Sequence, residues 1–393
     1  MTRVSRRALL ASGSLALAGC ARAHEEYFGK TDPPRSQRLV YLLDSEPTTL
    51  DPTLTEERLD ALILSLFEGL TSLHPDTDAP MSALATHYLV TADGLHYTFF
   101  LRGHPRPRGN RLPDTAGLSL EYSRGRTPPP DRAPACWSDG VPIHASDFVY
   151  SWRRALDPTT AADYALLFYH IRNAREINAG KLAPEQLAIR ALDDFTLEVD
   201  LANPAPFFLE LVSGRMFCPV PRHVIRTAGS HWTEPGRIVT SGAFVLRERR
   251  RYDRIVLAKS SCYYDAGQVA LQELIFLVVG DPAPQLNLYK AGMAAIAQPW
   301  IPTIMPTLRH KKDFRPQPNY ASEFFAINTR VPPLDDVRVR YALNMATDKH
   351  LIADLAGAGS LPAHAVAHAR SRSGSEYRTS TARIIRSSTR PPA

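Results

Sequence analysis

The chain has 393 residues, 44% of them hydrophobic and 22% charged, enough for two or three globular domains with proper cores. Its formal charge of +6 sits at the ends: residues 1–19 carry +3 and residues 357–393 carry +5, which leaves residues 20–356 at −2. A body that close to neutral offers no basic surface from which to argue a nucleic-acid partner, and 33 prolines against 21 glycines imply many fixed connections.

At the N-terminus, Arg3, Arg6 and Arg7 precede an apolar run from Ala8 to Ala18. That run is too short to span a bilayer and suits the core of a signal peptide, here residues 1–19. Ser5-Arg6-Arg7 resembles a twin-arginine export signal, with general export as the other route. Leu17-Ala18-Gly19-Cys20 resembles a lipobox, so Cys20 is expected to carry the lipid anchor, on a tether over residues 20–38. The expected location is the periplasm or the outer face of the cell membrane. The bland alternative is a core helix with a chance cysteine. Cys136, Cys218 and Cys262 then leave one disulfide plus a thiol, or three unpaired thiols.

The stretch from Ser45 to Leu70 organises the rest of the chain. Pro47 and Pro52 push Glu46 and Asp51 towards extended backbone. Leu59, Leu62, Ile63, Leu66, Phe67 and Leu70 then recur at helical spacing, with Thr55 as the expected N-cap and Gly69 as the stop. A strand at 39–43 therefore enters a stiff loop that feeds a buried helix, a good place to meet a ligand. Further on, Tyr97, Phe99 and Leu101 predict a strand, and Phe195, Leu197, Val199 and Leu201 a half-buried one. Between them Ser146 is expected to cap a helix with Phe148, Val149, Trp152 and Leu156 on one face. Arg102 to Pro134 holds seven prolines and seven arginines, which neither helix nor ladder tolerates, and reads as a surface excursion. Arg254–Lys259 and the continuously apolar Leu274–Val279 predict strands, the second covered on both faces. A helix is predicted from Val337 to about Ile352, and Gly357 to Ala393 has no periodic apolar face.

Five blocks, in order, carry a family resemblance: E-P-T-T-L-D-P at 46–52 with F-E-G-L at 67–70, W-S-D-G-V-P-I-H-A-S-D-F-V-Y-S-W-R-R-A-L-D-P at 137–158, A-L-D-D-F-T-L-E-V at 191–199, I-V-T-S-G-A-F at 238–244, and P-P-L-D-D-V-R-V-R-Y-A-L-N-M-A-T-D at 332–348. Together they resemble the oligopeptide/dipeptide/nickel type of ABC-transporter solute-binding protein, family 5. The likeness runs from about Arg38 to about Gly359.

The resemblance implies an α/β, periplasmic-binding-protein-like fold: a type II clamshell of the oligopeptide-binding kind with an inserted extra domain. The first lobe would be residues 39–69 plus 204–318. The inserted domain would be 70–203, with its loop at 102–134, and the crossings near 69 and 203 would form a hinge region. The second lobe would start at 319–356 with a strand at Glu323–Thr329, and 357–393 would be an irregular basic tail. The third domain is expected to be largely missing, as in a truncated or frameshifted member whose binding is impaired.

The implied function is capture of oligopeptides in a cleft and delivery to an ABC permease, by a monomer without cofactor, metal or enzymatic activity. Glu56, Glu57, Arg58, Tyr164 and Tyr320 are the implied ligand contacts, with one of Phe324 and Phe325. Glu56 and Glu57 also read as a charged helix start, and Tyr164 as a packing residue. Ala321 stands where some members have a cysteine. A secreted hydrolase and a non-transport binding lipoprotein are the alternatives. No G-x-S-x-G elbow or phosphate-binding loop supports an enzyme, and His364 and His368 lack the glutamate of a zinc protease.

Overall fold

The computed structural model describes residues 36–55, 59–75, 77–104, 134–298, 301, 303–315 and 324–356. The expected signal peptide, Cys20, Glu56, Glu57, Arg58, Tyr320, nearly all of the 102–134 excursion and the 357–393 tail lie outside the described residues. The chain divides into two units, Pro33–Gln298 and a second made of Met1–Asp32 with Pro299–Ala393.

Two four-stranded sheets build the first unit. One has the order β1 (Arg38–Leu43), β10 (Glu273–Val278), β9 (Arg254–Lys259), β8 (Phe244–Arg250). β1 runs parallel to β10, with Leu39 opposite Leu274, and the other two pairings are antiparallel. Leu274 and Phe276 of β10 are buried, whereas Ile275 and Leu277 are only half covered, so the expected cover on both faces is partial. The second sheet, fully antiparallel, has the order β4 (Ala85–Val90), β5 (His96–Leu101), β7 (Thr196–Asp200), β6 (Ile189–Asp193). Tyr97, Phe99 and Leu101 are buried as their alternation predicts. In β7 the alternation is less clean: Asp200 is buried beside Leu197 and Val199, because His96 Nδ1 (2.8 Å) and Arg172 Nη2 (2.5 Å) satisfy its carboxylate. A small hairpin, β2 (Thr71–Leu73) with β3 (Pro80–Ser82), completes the strands.

The helix α1 (Asp60–Leu66) buries every residue of its predicted face, Leu59, Leu62, Ile63, Leu66, Phe67 and Leu70, to 1% exposure or less. Its ends differ from expectation. Thr55 does not cap it; the Thr55 hydroxyl turns back to the carbonyl of Asp51. The helix stops at Leu66, where the I-V-T-S-G-A-F block closes it: Gly242 N–H donates to the Leu66 carbonyl at 2.8 Å, and Glu68 N–H donates to Ser241 Oγ at 3.1 Å. A Cβ on Gly242 would lie 2.7 Å from the Leu66 carbonyl carbon, and one on Gly69 would lie 2.6 Å from the Val212 carbonyl oxygen. Both glycines are therefore set by close backbone approach.

The helix α2 (Ala145–Leu156) starts one residue before the expected Ser146. His144 is its N-cap, and Asp147 Oδ2 accepts the His144 N–H at 2.9 Å, the return half of a capping box. Phe148, Trp152 and Leu156 are fully buried and Val149 partly. One continuous hydrophobic cluster joins both sheets, α1 and α2. Shorter helices α3 (Ala174–Asn178), α4 (Phe208–Leu211) and α5 (Arg222–Ala228), and then α6 (Pro282–Lys290), complete this unit.

In the second unit the described helices are α7 (Met305–Leu308), α8 (Val337–Ala346) and α9 (Lys349–Ala356). The single helix expected over 337–352 is broken at Thr347–Asp348. Asp348 Oδ1 accepts N–H donors from His350 and Leu351, both at 3.0 Å, and so caps α9 anew. Residues 324–328, part of the expected strand at 323–329, are irregular.

Candidate functional site

The loop from Asp44 to Thr55 is gripped by three arginines from three distant parts of the chain. Arg249, in β8, donates to Glu46 Oε1 from Nη2 at 2.9 Å and from Nε at 3.2 Å, and also to the Pro47 carbonyl. Tyr252 N–H takes the other Glu46 oxygen at 3.1 Å. Arg154, in α2, donates to Asp51 Oδ2 at 2.6 Å, and Trp232 Nε1 reaches the same oxygen at 3.3 Å. Asp51 Oδ1 accepts from the Thr53 N–H at 2.9 Å, which closes the turn from within. Arg215 donates to the Thr55 carbonyl at 3.0 Å and to Asp60 Oδ1 at 2.8 Å.

The contacts to Asp51 and the Glu46–Arg249 pair are buried, whereas the Asp60 side chain is 57% exposed. Asp51 is 1% exposed, and the side chains of Glu46 and Arg249 are 10% and 8% exposed. At such depth an ion pair does little for net stability, but removing one partner strands the other and costs about 3–5 kcal/mol. Two prolines, three guanidiniums and an internal turn therefore fix one backbone path.

Tyr164 lies beside this loop. Its ring stands under the Arg215 guanidinium, 5.7 Å from centroid to carbon, and it is half-buried against the core. The side chain serves packing and still presents a partly open face at the start of the 3₁₀ turn Ala165–His170. Phe324 and Phe325 are 71% and 85% exposed. Thus the structure brings Tyr164 to the clamped loop, through Arg215.

Arg154, Arg215 and Arg249 are the residues that sequence reasoning missed. For one pair a signal existed: Asp51 and Arg154 both fall in the stretches that carry the family resemblance. Arg215 has no such mark.

All three described cysteines are free. Burial pushes the Cys218 thiol far up; burial and the neighbouring Cys262 raise that of Cys136. Among the described residues no cluster of three metal-ligating side chains occurs, and no helix is long and apolar enough to cross a membrane.

Comparison with known proteins places this geometry. The profile described as "Bacterial extracellular solute-binding proteins, family 5 Middle" matches residues 132–381. The periplasmic oligopeptide-binding protein OppA of Escherichia coli K12 is 32% identical over 373 residues, 93% of this chain and 63% of that protein. The probable deoxycholate-binding periplasmic protein YgiS of the same organism is 35% identical over 315 residues, 79% of this chain and 53% of that protein. Among solved structures, the murein tripeptide-binding protein MppA of Escherichia coli matches with a TM-score of 0.68 at 30% identity, over 82% of this chain and 58% of that one. OppA of Burkholderia pseudomallei matches with a TM-score of 0.67 at 29% identity, over 81% and 57%. The chain thus spans a little over half to about three-fifths of the length of these relatives. Their fold, the α/β type II architecture of periplasmic binding proteins, is the fold of this chain over the matched part. It belongs to the bacterial extracellular solute-binding proteins of family 5.

Proposed function

We propose that this chain binds oligopeptides for an ABC importer and hands them to a membrane permease. The observation that carries the reading is the clamped loop at 44–55 with the half-buried Tyr164 beside it, in a chain of this family. A wall that does not move on binding spares the ligand much of the ordering cost. The peptide would lie with its backbone extended and hydrogen-bonded in β fashion, its side chains in wet pockets, which suits many sequences. Glu56, Glu57 and Arg58 follow the loop directly and, with Tyr164 and Tyr320, are the proposed contacts, together with one of Phe324 and Phe325. In this reading residues 39–69 and 204–318 form one lobe, 70–203 an inserted domain, and 319–356 the start of the other lobe. Cys20 would hold a lipid anchor that keeps a monomeric receptor at the outer face of the membrane, with no catalytic step.

One relative is named for deoxycholate, which favours a second reading: an amphipathic steroid acid as ligand. Titration calorimetry on the purified chain separates the two. Heat from mixed tri- to pentapeptides, weakened at least about tenfold by Tyr164→Ala, supports peptide binding. Heat from deoxycholate with none from peptides supports the second reading and rejects the first.

A further inference from the structure

Glu68, the acid of the F-E-G-L stretch, takes no part in the clamp. It lies where the chain leaves α1, and it is half-buried. Oε1 accepts from Tyr263 Oη at 2.9 Å and from Tyr264 Oη at 3.0 Å. Oε2 is buried and has no hydrogen-bond partner among the described residues. The two tyrosine rings stand 4.5 Å apart, just past the end of β9 in the first sheet. Arg102, just past the end of β5 in the second sheet, holds its guanidinium 3.7 Å over the Tyr264 ring and donates from Nε to the Ala83 carbonyl at 2.8 Å. The chain's exit from α1, the ends of two strands from different sheets, and the 215–218 segment with Cys218 meet around one carboxyl group.

We propose that Glu68 is a proton-binding site that sets how firmly the two four-stranded sheets are joined. Protonated, the joint closes around a neutral acid. Ionised, it holds a carboxylate with both tyrosine donors on one oxygen and, among the described residues, none on the other. This inference concerns the joint alone and does not depend on the class of ligand.

Opposing forces act on the Glu68 carboxyl. Burial disfavours the charge. The Arg102 guanidinium and the hydroxyls of Tyr263 and Tyr264 favour it, and Asp265 opposes it. Burial wins and pushes the carboxyl from 4.5 up to about 7. Both tyrosines are themselves pushed up by burial, then by Glu68, and Cys218 likewise, so these neighbours stay neutral while Glu68 titrates. The folded state therefore holds the proton more tightly than the unfolded chain. The stabilisation is complete below the unfolded value and is lost as pH rises through the folded one.

The test compares the full 393-residue chain with Glu68→Gln, which keeps an acceptor and cannot ionise. Between about pH 5.5 and about pH 8.5 the thermal midpoint of the wild type is expected to fall about 3–6 °C further than that of the variant. Equal slopes overturn the proposal. Should the variant not fold, infrared spectra of the wild type give the answer: a carboxyl band that fades near pH 7 is expected, and one already gone below about pH 5.5 overturns it. The joint itself is read by amide exchange at residues 66–70 and 260–265, corrected for intrinsic rate. It should quicken as the band fades; exchange that stays constant while the band titrates overturns the coupling.

Discussion

The two units carry apolar helices of similar pattern with opposite fates. In α1, Leu62, Ile63 and Leu66 are wholly buried, and in α2 so are Phe148, Trp152 and Leu156. In α8, Val337, Tyr341 and Met345 follow the same spacing, yet they are 50%, 54% and 77% exposed. The difference lies in what covers them. α1 packs on β8 and the 215–217 turn, and α2 packs on β6 and β7. Around α8 the described residues form no strand; the helix relies on its own cap, where Asp336 Oδ1 accepts the Arg338 N–H at 2.8 Å. Periodicity predicts that a helix has an apolar face, and only tertiary neighbours turn that face into stability.

Substitutions put this contrast to the test. Trp152→Ala removes the largest buried ring of α2 and its bond from Nε1 to the Phe217 carbonyl at 3.0 Å. It should cost about 3–5 kcal/mol in urea unfolding. Arg154→Met strands the Asp51 carboxylate and should cost about 3 kcal/mol, much of it regained when Asp51→Leu is added. A double-mutant cycle in denaturant reads that recovery, and additive losses would show that the two residues do not act as a pair. Gly242→Ala forces a Cβ against the end of α1 and should cost about 1–3 kcal/mol, visible as a lower urea midpoint. Met345→Ala in α8 should change stability by less than about 0.5 kcal/mol. A loss as large as that at Trp152 would mean that α8 is covered after all.

The same contrast explains what was legible in the chain. Helical faces and strand alternation are local, so β1, β5, α1 and α2 could be read from spacing. Helix ends were less legible because several residues compete for them. Thr55 spends its hydroxyl on Asp51, and His144 with Asp147 outcompetes Ser146. Asp348, a cap hidden within a periodic run, splits the last predicted helix. The clamp was the least legible part. Asp51 and Arg154 are 103 residues apart, Glu46 and Arg249 are 203 apart, and no local pattern tells which charge a buried carboxylate will meet. A strand at 323–329 needs a neighbour to pair with, which sequence pattern alone cannot supply.

The most direct measurement is amide hydrogen exchange of the 393-residue chain with and without a saturating peptide. Slower exchange at residues 49–55 and 160–170, with the β4–β7 sheet unchanged, is the expected result. No change anywhere, or protection confined to residues 85–101, would contradict a binding wall built on the clamped loop.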